Sequence, residues 1–116
     1  MRVISQDGTI DVPYETGSFN MIRAELVEPK HTNIYCHHSS IGVAIKIAEY
    51  STETKAIKAM EMLRDQYKRL EVFKVLASGA VEHIGKTLKN DELVEYNQAY
   101  RDMNVFQFPQ DGEIEV

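Results

Sequence analysis

The side chains best suited to chemistry are concentrated in residues 31–38, which read HTNIYCHH. His31, Cys36 and His38 are the candidate metal ligands, because a thiolate and neutral imidazoles bind zinc well and a structural zinc site takes four ligands. On an extended strand, Cys36 and His38 point to one side and His37 to the other. This stretch therefore predicts a structural zinc site formed by His31, Cys36 and His38.

The sequence leaves the fourth zinc ligand open. His83, a carboxylate, water or a second copy of the chain could supply it, and a symmetric homodimer would double the number of ligands. The alternative interpretation is that Cys36 is a small buried apolar residue and that the histidines are surface groups. The chain has one cysteine, so it has no C-x-x-C pair of the kind that anchors a standard zinc finger.

Known catalytic motifs are missing around these residues. The sequence has no G-x-S-x-G, no phosphate-cradling glycine loop, no H-E-x-x-H and no G-x-G-x-x-G. Cys36 beside His37 could be taken as a thiol nucleophile with a base, but adjacent residues on a strand point to opposite faces and no third group orients them. We predict that the chain is not an enzyme, with a small zinc-dependent enzyme as an alternative.

The elements that must position this stretch are β-prone. An Asp-Gly turn signal at residues 7–8 is typical of a type I′ hairpin, and it sets Val3 against Val12. Apolar and polar residues alternate over residues 19–27 and 41–50, which indicates strands with one buried face. Between these two segments, residues 29–33 are predicted to form a turn and residues 33–37 a short strand, and a second connection is predicted to begin at His38. His31 would then fold back toward Cys36 from the turn.

Helical patterns follow the β-prone half. Ser51 is the predicted N-cap of a long helix, because its hydroxyl can accept an amide hydrogen bond from the first turn. Apolar residues recur at helical spacing along one stripe; they are Ala56, Met60, Leu63, Tyr67 and Leu70. Asn90 is the predicted cap of a further helix over residues 91–102.

Together these patterns predict an α+β fold. We expect an antiparallel sheet of roughly four to five strands, including the N-terminal hairpin, packed against about two to three α-helices. Residues 1–50 are mainly β, residues 51–103 mainly α, and residues 104–116 a terminal strand or tail. A chain of 116 residues is expected to form one domain, residues 1–116.

The composition of the chain is typical of a globular protein. Hydrophobic residues make up 43% and charged residues 27% of the chain, which is ordinary globular usage. No segment approaches the ~20 apolar residues that cross a bilayer, and the N-terminal residues lack an apolar run of signal-peptide length. With a single cysteine and so no internal disulfide, a cytoplasmic protein without a membrane partner is expected.

Negative charge is concentrated near the C-terminus, where residues 90–116 carry seven acidic groups and one basic group. This opposes direct nucleic-acid binding, which depends on clustered Lys and Arg, and it favours a basic surface on a protein partner. The candidate partner-binding residues are Asp91, Glu92, Glu95, Asp102, Asp111, Glu113 and Glu115. The alternative is a solvated acidic surface that keeps the chain soluble.

Three segments carry a resemblance to known proteins: MRVISQDGTIDVPYE at residues 1–15, AEYSTETKAIKAMEMLRDQY at 48–67 and VFQFPQDGEIEV at 105–116. They resemble small proteins encoded by phages and prophages of Gram-positive bacteria, most of them without an assigned function. Residues 16–40, which include the metal-capable stretch, are not part of the resemblance. The resemblance therefore implies nothing about the zinc site.

The resemblance implies a role inside the host bacterial cell. Small phage proteins of this sort include inhibitors of host defence, among them anti-CRISPR proteins that act on the type II effector nuclease. Such a nuclease has positively charged channels for nucleic acid, which the acidic residues 90–116 would complement. We therefore expect a stoichiometric inhibitor of that nuclease. The alternative is a phage accessory protein that binds another replication or regulatory protein.

Overall fold

The computed structural model describes residues 1–24, 31–38, 42–84 and 90–115. Its elements, in chain order, are β1 (Arg2–Ile4), β2 (Asp11–Pro13), β3 (Gly17–Ala24), β4 (His31–His38), β5 (Ala44–Tyr50), α1 (Glu53–Ile84), α2 (Asn90–Met103) and β6 (Val105–Gln107). Short 3-10 turns occupy Tyr14–Thr16 and Asp111–Glu113. The predicted α+β class is confirmed.

The strands are divided between two three-stranded sheets, where the sequence had suggested one antiparallel meander. In the first sheet the order is β2-β1-β6. β1 pairs antiparallel with β2, with Val3 opposite Val12 as predicted, and it pairs parallel with β6, with Val3 opposite Phe106. The N-terminal hairpin is therefore completed by a strand from the other end of the chain.

The turn between β1 and β2 lies at the predicted position but has another geometry. Gly8 has a φ of +79°, whereas Asp7 does not have a positive φ, so the type I′ assignment is wrong. The Gly8 amide donates to the Ser5 carbonyl over 3.0 Å, which fits a turn closed by a left-handed glycine. Only glycine adopts that φ without strain.

The second sheet has the order β3-β4-β5 and is antiparallel throughout. A β-bulge interrupts the pairing of β4 with β5, because Ile34 lies opposite Ala48 and Tyr35 opposite Lys46, which leaves Ile47 unpaired. Ile47 and Ala48 are both buried, at 2% and 3% exposure. The strict alternation expected over residues 41–50 is therefore broken.

β3 covers the first part of the strand predicted over residues 19–27. It ends at Ala24, and residues 25–30 lie outside the described part of the chain. Its Phe19 packs against the hydrophobic core, whereas Asn20 is exposed. The odd-numbered face of β3 therefore contacts the core at this point, whereas the sequence predicts burial of the face that carries Ile22, Ala24 and Leu26.

The helix that follows β5 begins one residue later than predicted. Thr52 caps it, because its Oγ1 accepts a hydrogen bond from the Lys55 amide over 3.2 Å. The predicted cap, Ser51, binds the Asp111 carboxylate instead. The predicted apolar stripe is confirmed: Ala56, Leu63 and Leu70 are at most 1% exposed, Met60 is 5% exposed, and Tyr67 packs against the core.

α1 has 32 residues and lies against β4 and β5. The second helix packs on its far half, where the Phe73 ring lies 5.1 Å from that of Tyr96. The Gln66 amide donates to the Met103 carbonyl over 3.1 Å and ties the end of α2 to α1. Within the described residues, neither helix combines the length and apolar character needed to span a membrane.

One hydrophobic cluster joins the two sheets and α1. It contains Val3 and Phe106 from the first sheet, Ile34 and Tyr50 from the second, and Leu63 from α1. Phe108, which follows β6, is 1% exposed, and its ring lies 5.2 Å from that of Phe106. The C-terminal segment therefore belongs to the same core as the N-terminal hairpin.

Candidate functional site

The metal-capable stretch forms β4, the central strand of the second sheet. Cys36 is 2% exposed and lies opposite Phe19 and Ile45 in the sheet register. Burial raises the pKa of the Cys36 thiol, which keeps it protonated at neutral pH. His37 is exposed, so the adjacent thiol and imidazole do not form a nucleophile–base pair.

The predicted zinc ligands do not come together. His31 and Cys36 are five residues apart on β4, which separates them by about 17 Å and places them on opposite faces. His38 lies on the same face as Cys36, and its Nε2 is 2.9 Å from the Thr16 hydroxyl. Among the described residues no group of three His, Cys, Asp or Glu side chains is placed to hold one metal ion. The side chain of His83 lies outside the described residues.

A cavity of about 440 Å³ lies where the N-terminal hairpin, β5 and the C-terminal segment meet. Its lining residues are Gln6, His31, Glu49, Tyr50, Ser51, Gln110 and Asp111. The His31 Nε2 is 3.4 Å from a Glu49 carboxylate oxygen. The Tyr50 hydroxyl donates to the Pro109 carbonyl over 2.8 Å.

Gln6 lies at the centre of the junction, that is, where the N-terminal hairpin, β5 and the C-terminal segment meet. Its side-chain amide donates to the carbonyls of Glu49, over 3.0 Å, and Pro109, over 3.2 Å, and its Oε1 accepts from the Glu49 amide over 3.0 Å. Its backbone amide donates to the Ile47 carbonyl over 2.9 Å. Gln6 thus connects both sheets to the C-terminal segment. No motif marks this residue in the sequence.

Asp111 also has a structural role at this junction. Its carboxylate accepts hydrogen bonds from the Ser51 amide over 2.7 Å and from the Lys55 Nζ over 3.1 Å. These contacts, with the Ser51 amide first, lower the pKa of Asp111. The polar groups that line the cavity bond to one another and to the backbone, so these contacts stabilise the fold at the junction.

The predicted partner-binding residues fall into two groups. Glu95 and Asp102 are exposed on α2, and Glu113 and Glu115 are exposed after β6. The backbone of Asp91 and Glu92 lies in α2, but their side chains are outside the described residues. Within the described part of the chain, none of the four exposed carboxylates forms an ion pair.

The two groups are tied to different parts of α1. The C-terminal group follows Asp111, which contacts Lys55 near the start of the helix. α2 contacts α1 at Gln66 through Met103, the neighbour of Asp102, and at Phe73 through Tyr96, the neighbour of Glu95. Gln66 and Phe73 lie 11 and 18 residues from Lys55, or about 17 and 27 Å along the helix.

Comparison with protein-family models, curated proteins and solved structures finds no match to this chain.

An apolar surface on α1 is the feature that sequence reasoning missed. Val72, Val75 and Leu76 are 58%, 70% and 68% exposed, although their helical spacing is also typical of a buried face. Beside them lies an open groove of about 400 Å³, lined by Lys68, Arg69, Val72, Phe73, Leu76 and Met103. Exposed apolar surface of this kind is typical of protein–protein contacts.

Proposed function

We propose that the chain is a binding protein that inhibits a macromolecular partner by occupying its surface, and that it is not an enzyme. The observation that supports this is the set of exposed carboxylates at Glu95, Asp102, Glu113 and Glu115, which no described residue neutralises. Charges of this kind are free to pair with a basic surface, which speeds association and selects the partner.

The proposed target is the type II CRISPR effector nuclease of the host bacterium. This choice rests on the resemblance of residues 1–15, 48–67 and 105–116 to small phage proteins. The nuclease holds nucleic acid in positively charged channels, and an acidic protein seated there would exclude the nucleic acid. Inhibition of this type is stoichiometric, because each inhibitor blocks one site and transforms nothing.

A phage accessory protein that binds a replication or regulatory protein would have the same acidic surface. A pull-down from host lysate separates the two roles: recovery of the effector nuclease supports inhibition of host defence, and recovery of a replication protein instead of the nuclease rejects it. The wild-type chain is compared with a variant in which the four exposed carboxylates are neutralised.

The two acidic groups are tested separately in a DNA-cleavage assay with the nuclease. One variant carries Glu95→Gln and Asp102→Asn, and the other carries Glu113→Gln and Glu115→Gln. Both lose the same charge, and glutamine at position 113 keeps an acceptor for the Gln110 amide, which now donates to Glu113 over 3.2 Å. The groups are attached to parts of α1 that lie about 17–27 Å apart, so a compact contact uses one group more than the other.

A matched control is the double variant Glu61→Gln and Glu71→Gln, which removes the same charge from α1. Glu71 pairs with Lys74 at the surface, a contact of small energetic value. Loss of inhibition in one acidic variant, with the control unchanged, supports the proposal. Equal potency of the wild type, both acidic variants and the control would reject the electrostatic mechanism.

A further inference from the structure

The outward face of α1 carries a second stripe, opposite the buried one. Its members recur at steps of four and three residues, which is the spacing of a coiled-coil seam. They are Lys58, Met62, Asp65, Arg69, Val72 and Leu76, and all of them are exposed. We call this set the outer seam. Met62, Val72 and Leu76 give it apolar character at both ends, and Asp65 and Arg69 form its charged centre.

From this pattern we infer that two copies of the chain associate through the outer seams of α1, packed antiparallel about a twofold axis near residue 67. In this arrangement Asp65 of each copy faces Arg69 of the other, and Met62 faces Val72. A single register therefore satisfies the four central positions, and it places the aliphatic stem of Lys58 against Leu76 of the other copy. This self-association is independent of the proposed inhibition.

The charges of Asp65 and Arg69 favour antiparallel packing of two copies over parallel packing. Asp65 and Arg69 are both exposed, and neither forms an ion pair with another described residue. In a parallel, in-register pair each Asp65 would face Asp65 and each Arg69 would face Arg69, and such like-charge contacts are destabilising. In the antiparallel pair both contacts are attractive. The seam is thus complementary to itself in one direction only.

The groove beside the seam supplies apolar contact. Val72 and Leu76 line it together with Phe73 and Met103. In the antiparallel register, Met62 of the second copy lies next to Val72, at the edge of this groove. Methionine is flexible and polarizable, so it fills an irregular apolar groove well. Association would cover Val72 and Leu76, which are 58% and 68% exposed.

The size of the contact indicates a reversible dimer. From Lys58 to Leu76 the seam spans 18 residue steps, or about 27 Å of helix. A pair of helices of this length buries less than the ~800 Å² per partner of a standard stable interface. The dimer is therefore expected to form and dissociate with protein concentration.

The test is sedimentation equilibrium of the full chain over a range of concentrations, without any partner protein. Asp65→Arg and Arg69→Asp are each expected to weaken dimerisation about tenfold, because each turns two attractive contacts into repulsive ones. The double variant Asp65→Arg with Arg69→Asp restores the attraction and is expected to return the dissociation constant to within about threefold of the wild type.

Two further variants complete the experiment. Val72→Glu replaces the apolar side chain that faces Met62 with a charge and is expected to yield monomer, whereas Glu95→Gln, outside the seam, is expected to leave the dimer unchanged. Circular dichroism confirms that each variant is folded. A wild-type chain that stays monomeric at the highest concentration, or a double variant that is no tighter than the single ones, would overturn the inference. A dimer that dissociates on addition of a zinc chelator would also overturn it, because metal would then be the bridge.

Discussion

Replacement of Gln6 by alanine should destabilise the protein more than the same replacement of an exposed glutamine such as Gln98. Gln6 is half-buried and lies between the two sheets and the C-terminal segment. The substitution removes two hydrogen bonds donated to the Glu49 and Pro109 carbonyls and one accepted from the Glu49 amide. It leaves the backbone hydrogen bond from Gln6 to Ile47 in place.

The expected loss follows from these three contacts. A net contribution of about 1 kcal/mol for each hydrogen bond gives a loss of about 3 kcal/mol, reduced toward about 2 kcal/mol where water replaces a partner. That is a large part of the roughly 5–15 kcal/mol that separates a folded domain from its unfolded state. The Pro109 carbonyl keeps one partner, because the Tyr50 hydroxyl also donates to it.

The assay is urea denaturation followed by far-ultraviolet circular dichroism. Gln98→Ala is the matched control, because Gln98 is exposed and its side-chain amide makes one hydrogen bond, to Asp102 over 2.9 Å. The control is expected to change the free energy of unfolding by less than about 0.5 kcal/mol. If Gln6→Ala changes it as little as the control does, Gln6 does not hold the junction and the reasoning is refuted.

Two further predictions concern titratable groups. Hydrogen bonds from the Ser5 and Thr9 hydroxyls and the Thr9 amide lower the pKa of Asp7 to about 2. This folded-state pKa lies below the unfolded value of about 3.9. The ionised Asp7 carboxylate therefore contributes fully to the free energy of unfolding above about pH 4, and this contribution is lost as the pH falls toward about 2. In urea denaturation, the free energy of unfolding of the Asp7→Asn variant should therefore fall less between those pH values than that of the wild type. Equal falls would contradict the lowered pKa of Asp7. Burial raises the pKa of Cys36, so a thiol reagent should label it slowly in the native protein and rapidly in urea, and rapid native labelling would show that the thiol is accessible.

Local patterns predicted the local elements well. The pairing of Val3 with Val12 and the apolar stripe of α1 depend on turn chemistry and helical period, which neighbouring residues determine. The parallel pairing of β1 with β6 joins residues about a hundred positions apart, which no local pattern encodes. The bulge at Ile47 likewise reflects tertiary packing, because it turns two consecutive residues into the core.

The candidate sites were harder to predict, because the exposure and contacts of a side chain depend on the tertiary fold. Cys36 and His38 were correctly assigned to one face of a strand, but that face is the core side, where Cys36 packs as an apolar residue. Asp111 is among the predicted partner-binding residues, and within the chain its carboxylate binds Ser51 and Lys55. Composition identifies a charged segment, but only the fold decides which of its carboxylates remain exposed.

The central claim is that the chain blocks its target by occupancy and transforms nothing. A titration tests it most directly: DNA cleavage by the type II effector nuclease, at a fixed nuclease concentration, is measured as this protein is added. Cleavage is expected to fall in proportion to the added protein and to stop at a fixed molar ratio. Full cleavage at a large molar excess, or complete inhibition by a small fraction of an equivalent, would contradict the claim.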